Sequence, residues 1–152
     1  MADEPFVPAG FGVPGGLVAP LFRLEPLGPG HNECDYAAWS SSMEHIRASP
    51  GFGDRRWPCE MSLDENLRDL EGHARDFADR TGFTYTVLDG DDVIGCVYIY
   101  PDRKGDADAR VRSWVRSDRA DLDLPLRRVV RDWLDAAWPF ERVEYAGLDG
   151  AG

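Results

Sequence analysis

The sequence predicts a mixed α/β domain: a central, partly antiparallel sheet flanked by helices. Three observations lead there. Three stretches place apolar residues at helical spacing, the last two on either side of the sheet's central strands. Between them lie two β-branched and aromatic runs joined by Asp-Gly, the signature of a hairpin. After the hairpin the pattern reads strand, helix, strand, which implies a parallel crossover.

The elements follow in order. Leu21–Leu27 reads as a strand ended by Pro26. Tyr36, Trp39, Met43 and Ile46 fall on one face of a helix, which Ser49-Pro50-Gly51 stops. A loop through Arg55, Arg56, Trp57 and Pro58 comes next. Ser62 and Glu65 form a capping box for a second helix, with Leu63, Leu67, Leu70, Ala74 and Phe77 on its apolar face. Gly82 stands where a C-terminal cap belongs. The hairpin pairs Phe83–Leu88 with Val93–Tyr100, and the second run is apolar enough to be buried on both faces. A polar loop leads to a strand over Ala109–Arg116. Leu122, Leu126, Val129, Val130, Trp133, Leu134 and Ala137 define a helix over Asp123–Trp138, ended by Pro139. Val143–Tyr145 is a short last strand.

The 152 residues suit one domain, and 43% apolar content is that of an ordinary globular chain. The expected layout is a flexible Pro/Gly-rich arm over 1–20, a single domain over 21–147 and a tail over 148–152. Gly10, Gly12 and Gly15 match a dinucleotide fingerprint by spacing only, because Pro14 interrupts it and no strand precedes it. The start is acidic and broken by Pro5 and Pro8, unlike a secretory signal, so the expected location is cytoplasmic. No apolar run approaches the roughly 20 residues of a membrane span. Cys34, Cys59 and Cys96 are too scattered for a disulfide framework or metal site, and none is expected. The net charge of −11 disfavours nucleic acid and anionic membrane as partners. Between Arg103 and Arg131, nine basic residues against five acids give +4, leaving −15 elsewhere. That segment is able to meet an anion, while the rest favours cations such as amines.

The order of elements, with the opening Phe22-Arg-Leu-Glu-Pro-Leu27, the hairpin Tyr85–Pro101 and the strand-to-helix segment Trp114-Val-Arg-Ser-Asp118, resembles the GNAT N-acetyltransferase superfamily over about Leu21 to Tyr145. The resemblance implies a GNAT-like acyl-CoA N-acyltransferase fold, C-terminally shortened, and transfer of an acetyl group from acetyl-CoA to a small-molecule amine. It places the cofactor along Trp114, Val115, Arg116, Ser117 and Arg119, with pantetheine on the strand and pyrophosphate at the helix N-terminus, where free amides and the helix dipole favour anions. The family's glycine-rich turn is absent: its small positions hold Asp121, Asp123 and Pro125, two carboxylates that oppose phosphate and one residue without an amide. These residues also suit a helix start.

By position on the last strand, beside the opening where the family binds substrate, Glu144 is the candidate base acting through a water, and Tyr145 a candidate donor to the leaving thiolate. Arg112, Trp114 and Arg116 share a face by period two, either as a water-exposed cation–π ladder or as an anion-binding wall. His31, His45 and His73 are read as surface or packing residues. Two functions follow: an N-acetyltransferase with a degenerate pyrophosphate turn, or a non-catalytic ligand- or partner-binding module on the same fold. An uncovered last strand would be relieved either by the arm folding back or by a homodimer.

Overall fold

The computed structural model describes residues 5–53 and 56–148; Arg55, the first four residues of the expected arm and most of the expected tail lie outside the described residues. Six strands form one sheet whose spatial order follows the chain: β1 (Leu17–Val18), β2 (Arg23–Pro26), β3 (Phe83–Asp89), β4 (Asp92–Pro101), β5 (Ala109–Val115) and β6 (Val143–Tyr145). All neighbours are antiparallel except β5 and β6, which run parallel because helix α4 (Asp123–Ala137) carries the chain back between them. The hairpin β3–β4 closes through Gly90 at φ 61°, a left-handed turn that glycine takes without steric cost.

Strand alternation divides the core. Phe83, Tyr85, Val97, Ile99, Val111 and Val115 face α4, where Leu126, Val130, Trp133 and Leu134 cover them. Each such buried side chain contributes about 1.5–3 kcal/mol. Cys96, Tyr98 and Trp114 face the other way, toward Ala38 and Trp39 of α1 (Asn32–Ser40), Ile46 of α2 (Met43–Arg47) and Leu70 of α3 (Leu63–Asp79). The Ser62–Glu65 capping box opens α3 with reciprocal bonds of 2.9 and 3.1 Å.

Several expectations need correction. The single helix expected over Tyr36–Ile46 is two, broken at Ser41–Ser42, where the Ser42 hydroxyl accepts the Ser117 amide at 2.9 Å. The C-terminal cap of α3 is Arg80 in a left-handed conformation at φ 62°, ahead of Gly82. Gly82 is needed for space: a Cβ there would lie 2.0 Å from the Tyr100 ring. On α3, Leu63 is exposed while Asn66 turns inward.

The segment expected to be a flexible arm is packed over its described part. Val7 is buried, and Phe6 stacks on Phe83 and Phe140 at 5.8 and 5.1 Å. The Tyr85 hydroxyl donates to the Pro14 carbonyl at 2.6 Å, and Arg80 donates to the carbonyls of Pro8 and Phe11. Prolines that cannot donate ladder bonds still expose carbonyls, and these side chains take them. The segment covers the α4 face and adds β1 beside β2, at the opposite edge of the sheet from β6.

Candidate functional site

The parallel pair β5–β6 is joined by only three residue pairs, from Ala109↔Val143 to Val111↔Tyr145. After the Ala146 amide bonds the Val111 carbonyl at 2.9 Å the strands part, while β5 continues along β4 to Val115. The resemblance expects pantetheine along β5 and pyrophosphate at the start of α4, beside this gap. The gap is filled from within. Arg127, in the second turn of α4, sends its guanidinium between the strands and is 2% exposed. Nη2 donates to the Ser113 carbonyl of β5 at 3.3 Å, and Nη1 donates to the Ala146 carbonyl just after β6. Nε donates to Asp123 at 3.2 Å, and the guanidinium carbon lies 5.9 Å from the centre of the Tyr145 ring. The Tyr145 and Ser113 hydroxyls meet at 2.6 Å across the same gap.

The turn between β5 and α4 is equally committed. The amides of Arg116, Ser117, Arg119 and Asp123 donate to the Ile94 carbonyl, the Ser42 hydroxyl and the carbonyls of Arg116 and Ala120. The Arg116 guanidinium holds Asp118 through two bonds of 2.9 and 3.0 Å, and Arg119 pairs with Asp89. Asp121 is exposed on the turn, and Asp123 stands at the start of α4. Four amides of this turn are thus bonded internally, Arg116 and Arg119 are paired, and Asp121 and Asp123 place carboxylates at the helix start, where a bound anion would meet opposing charge.

The remaining expected residues are dispersed. Trp114 is fully buried on the α1–α3 face and donates from Nε1 to the Tyr98 hydroxyl at 2.9 Å, while Val115 is buried on the α4 face. A water-exposed ladder of Arg112, Trp114 and Arg116 is therefore not formed; Arg112 instead lies 4.8 Å from the ring centres of both Phe52 and Tyr98. Glu144 is paired with Arg110 at 3.2 Å. Tyr145 is fully buried, and burial raises its hydroxyl further above the ordinary phenol range.

A different site lies on the α1–α3 face. A cavity of about 410 Å³ is lined by residues that include Asp35, Trp57, Asp69, His73, Tyr98 and Arg112. A neighbouring cavity of about 650 Å³ shares His73, Tyr98 and Arg112, so the two form one cleft across the sheet. Asp35 is 4% exposed, and among the described residues its carboxylate accepts one bond, from the Asn66 amide at 3.2 Å. Asn66 also donates to Asn32 at 2.8 Å and accepts the Trp39 indole at 3.0 Å, which locks its orientation. Burial pushes the Asp35 carboxyl up from 3.8 to about 6, against the opposing effect of the Asn66 bond. Burial also raises Asp69 and lowers His73. His73 Nδ1 lies 3.1 Å from the Tyr100 hydroxyl and 3.0 Å from that of Thr84, and Tyr100 donates to Asp76 at 2.9 Å.

Sequence reasoning did not single out Asp35, Asn66 or Arg127 and read His73 as a surface or packing residue, though the signal was there. Each is polar on the apolar face of its helix: Asp35 beside Ala38 and Trp39, His73 beside Leu70 and Phe77, Arg127 beside Val130 and Leu134.

The sequence matches no protein-family model and no curated protein. The fold does match solved structures. Ribosomal-protein-S5-alanine acetyltransferase from Vibrio fischeri superposes with a TM-score of 0.64 at 14% identity, over 86% of this chain and 72% of that one. The microcin C7 self-immunity acetyltransferase MccE, solved with acetyl-CoA and AMP, gives 0.59 at 12% identity over 82% and 69%. The ribosomal L7/L12 alpha-N-protein acetyltransferase RimL, solved with coenzyme A, gives 0.60 at 12% identity over 76% and 65%. The chain spans 63–66% of the length of the three L7/L12 acetyltransferase structures it matches. Strand order, the α4 crossover and these superpositions together establish that the chain has the GNAT-type N-acetyltransferase fold.

Proposed function

We propose that this chain is a GNAT-fold module that binds a small organic cation, a primary amine, in the cleft between α1–α3 and the sheet, and does not use acetyl-CoA to modify it. The observation that carries the reading is Asp35. A carboxylate buried with a neutral amide as its hydrogen-bond partner, beside the indole of Trp57 and the phenol of Tyr98, is electrostatically incomplete. An ammonium ion would bring a positive charge against Asp35 and meet aromatic faces as well, in a cavity that Arg56 and Arg112 also line. The commitment of the β5–β6 gap to Arg127 supports the non-catalytic half of the proposal.

Calorimetric titration with short primary amines such as butylamine and benzylamine at pH 8, where Asp35 is ionised, tests this. Saturable binding that Asp35→Asn weakens at least tenfold is expected. Absence of binding, or binding indifferent to Asp35→Asn, defeats the reading.

A second reading, acetyl-CoA-dependent transfer to that amine, is favoured by the parting of β5 and β6 and by the acetyltransferases that share the fold. It requires acetyl-CoA to bind. A rise in melting temperature with acetyl-CoA, together with amine-dependent release of free thiol, would replace the first reading by the second.

A further inference from the structure

We infer that Arg127 is a built-in occupant of the gap between β5 and β6: the chain fills with its own side chain a slot that would otherwise take an extended thiol-bearing arm. The inference rests on the gap alone and stands or falls independently of the amine cleft.

Four observations carry it. First, beyond the bond from the Ala146 amide to the Val111 carbonyl the two strands share no ladder pair among the described residues, and Arg127 spans them by bonding one carbonyl from each side, those of Ser113 and Ala146. Second, the guanidinium is buried with its counter-charge Asp123 four residues earlier on the same helix, so its desolvation is offset locally. Third, the chain after β6 is shaped around it. Gly147 takes φ 89°, and a Cβ there would sit 2.6 Å from Arg127 Nη1 and 3.0 Å from the Pro50 ring. Any side chain at position 147 would therefore force the guanidinium or the turn to shift. Fourth, the Tyr145–Ser113 hydroxyl contact closes the same gap beside it. Displacing Arg127 would take the donor from the buried Ser113 carbonyl and the part-buried Ala146 carbonyl and unseat a buried charged group, lowering the affinity of any incoming arm on the order of a hundredfold or more.

Pantetheine is the suitable probe, because it is extended, uncharged and free of the phosphates that Asp121 and Asp123 oppose. In thermal melts with millimolar pantetheine, the unaltered chain should show no shift. Arg127→Ala should melt lower and be partly restored by pantetheine, because its slot is vacant. Arg127→Met should also melt lower yet gain nothing, because it loses the bonds but keeps the bulk. If Arg127→Ala does not fold, Arg127→Gln, which retains an amide donor but shortens the side chain, is read in the same way. A pantetheine-dependent rise in the unaltered chain overturns the inference. So does a folded alanine or glutamine variant that pantetheine leaves unmoved.

Discussion

Replacing Asp35 by Asn should make the protein more stable at neutral pH. Asp35 is 4% exposed, and its carboxyl is raised from 3.8 to about 6 by burial. A carboxyl with a higher pKa folded than unfolded holds its proton more tightly when folded. Its contribution therefore favours folding fully below the unfolded value and is lost as pH rises through about 6. Above that, keeping the charge buried costs about 3 kcal/mol. Asparagine removes the charge yet can still present an amide oxygen to Asn66, so the hydrogen bond at 3.2 Å survives. The two proteins should be close in stability near pH 4. They should differ by about 3 kcal/mol, or roughly 6–12 °C in melting temperature, at pH 7.5, with the variant higher. Urea melts of both proteins at the two pH values isolate this group, since every other titrating residue is common to both. A variant equal to or less stable than the parent at pH 7.5 would mean that the ionised carboxylate is already compensated inside the protein, and the electrostatic case for a cationic ligand would fail with it.

Two further predictions concern the frame that holds the cleft. Leu134→Ala should cost about 2–5 kcal/mol in denaturant melts, because Leu134 is fully buried where α4 meets the sheet; a loss under about 1 kcal/mol would mean that the site collapses freely. A chain starting at Leu21 should be less stable by at least about 3 kcal/mol, since it loses buried Val7, the Phe6 stacks and β1; unchanged melting would show that the N-terminal segment adds nothing to the fold.

The sheet was legible in the sequence because its signals are local. Asp-Gly fixes the hairpin, and α4 and the capped start of α3 show their apolar stripes directly. The N-terminal segment was misread because composition reports backbone freedom, not what a few aromatic residues can find to pack on. Phe6, Val7 and Phe11 are separated by proline and glycine, so they carry no period, and their partners Phe83, Trp138 and Phe140 lie far along the chain. The α1–α3 cleft was passed over for a related reason. The resemblance directed attention to the turn after β5, while the unusual chemistry sits at polar positions inside apolar helix faces. A carboxylate at Asp35 and a guanidinium at Arg127 look like interruptions of a stripe until the opposite wall of each cavity is known.

The agreement between strand order in space and in sequence bears on how the chain finds its structure. The meander β3–β4–β5 draws all its pairings from one continuous stretch, Phe83 to Val115, so its loops close at small entropic cost. β2 joins β3 only after α1, α2 and α3 have been gathered between Pro26 and Phe83. β6 joins β5 only after α4 has turned the chain around. The transition state for folding is thus expected to contain the meander, with both flanking strands and the N-terminal segment docking late. Interactions made late do little to speed folding but slow the escape from the native state. On this view Val7 and Phe6, and the guanidinium between β5 and β6, act chiefly as latches on a sheet that has already formed, setting the lifetime of the fold more than the rate at which it is reached.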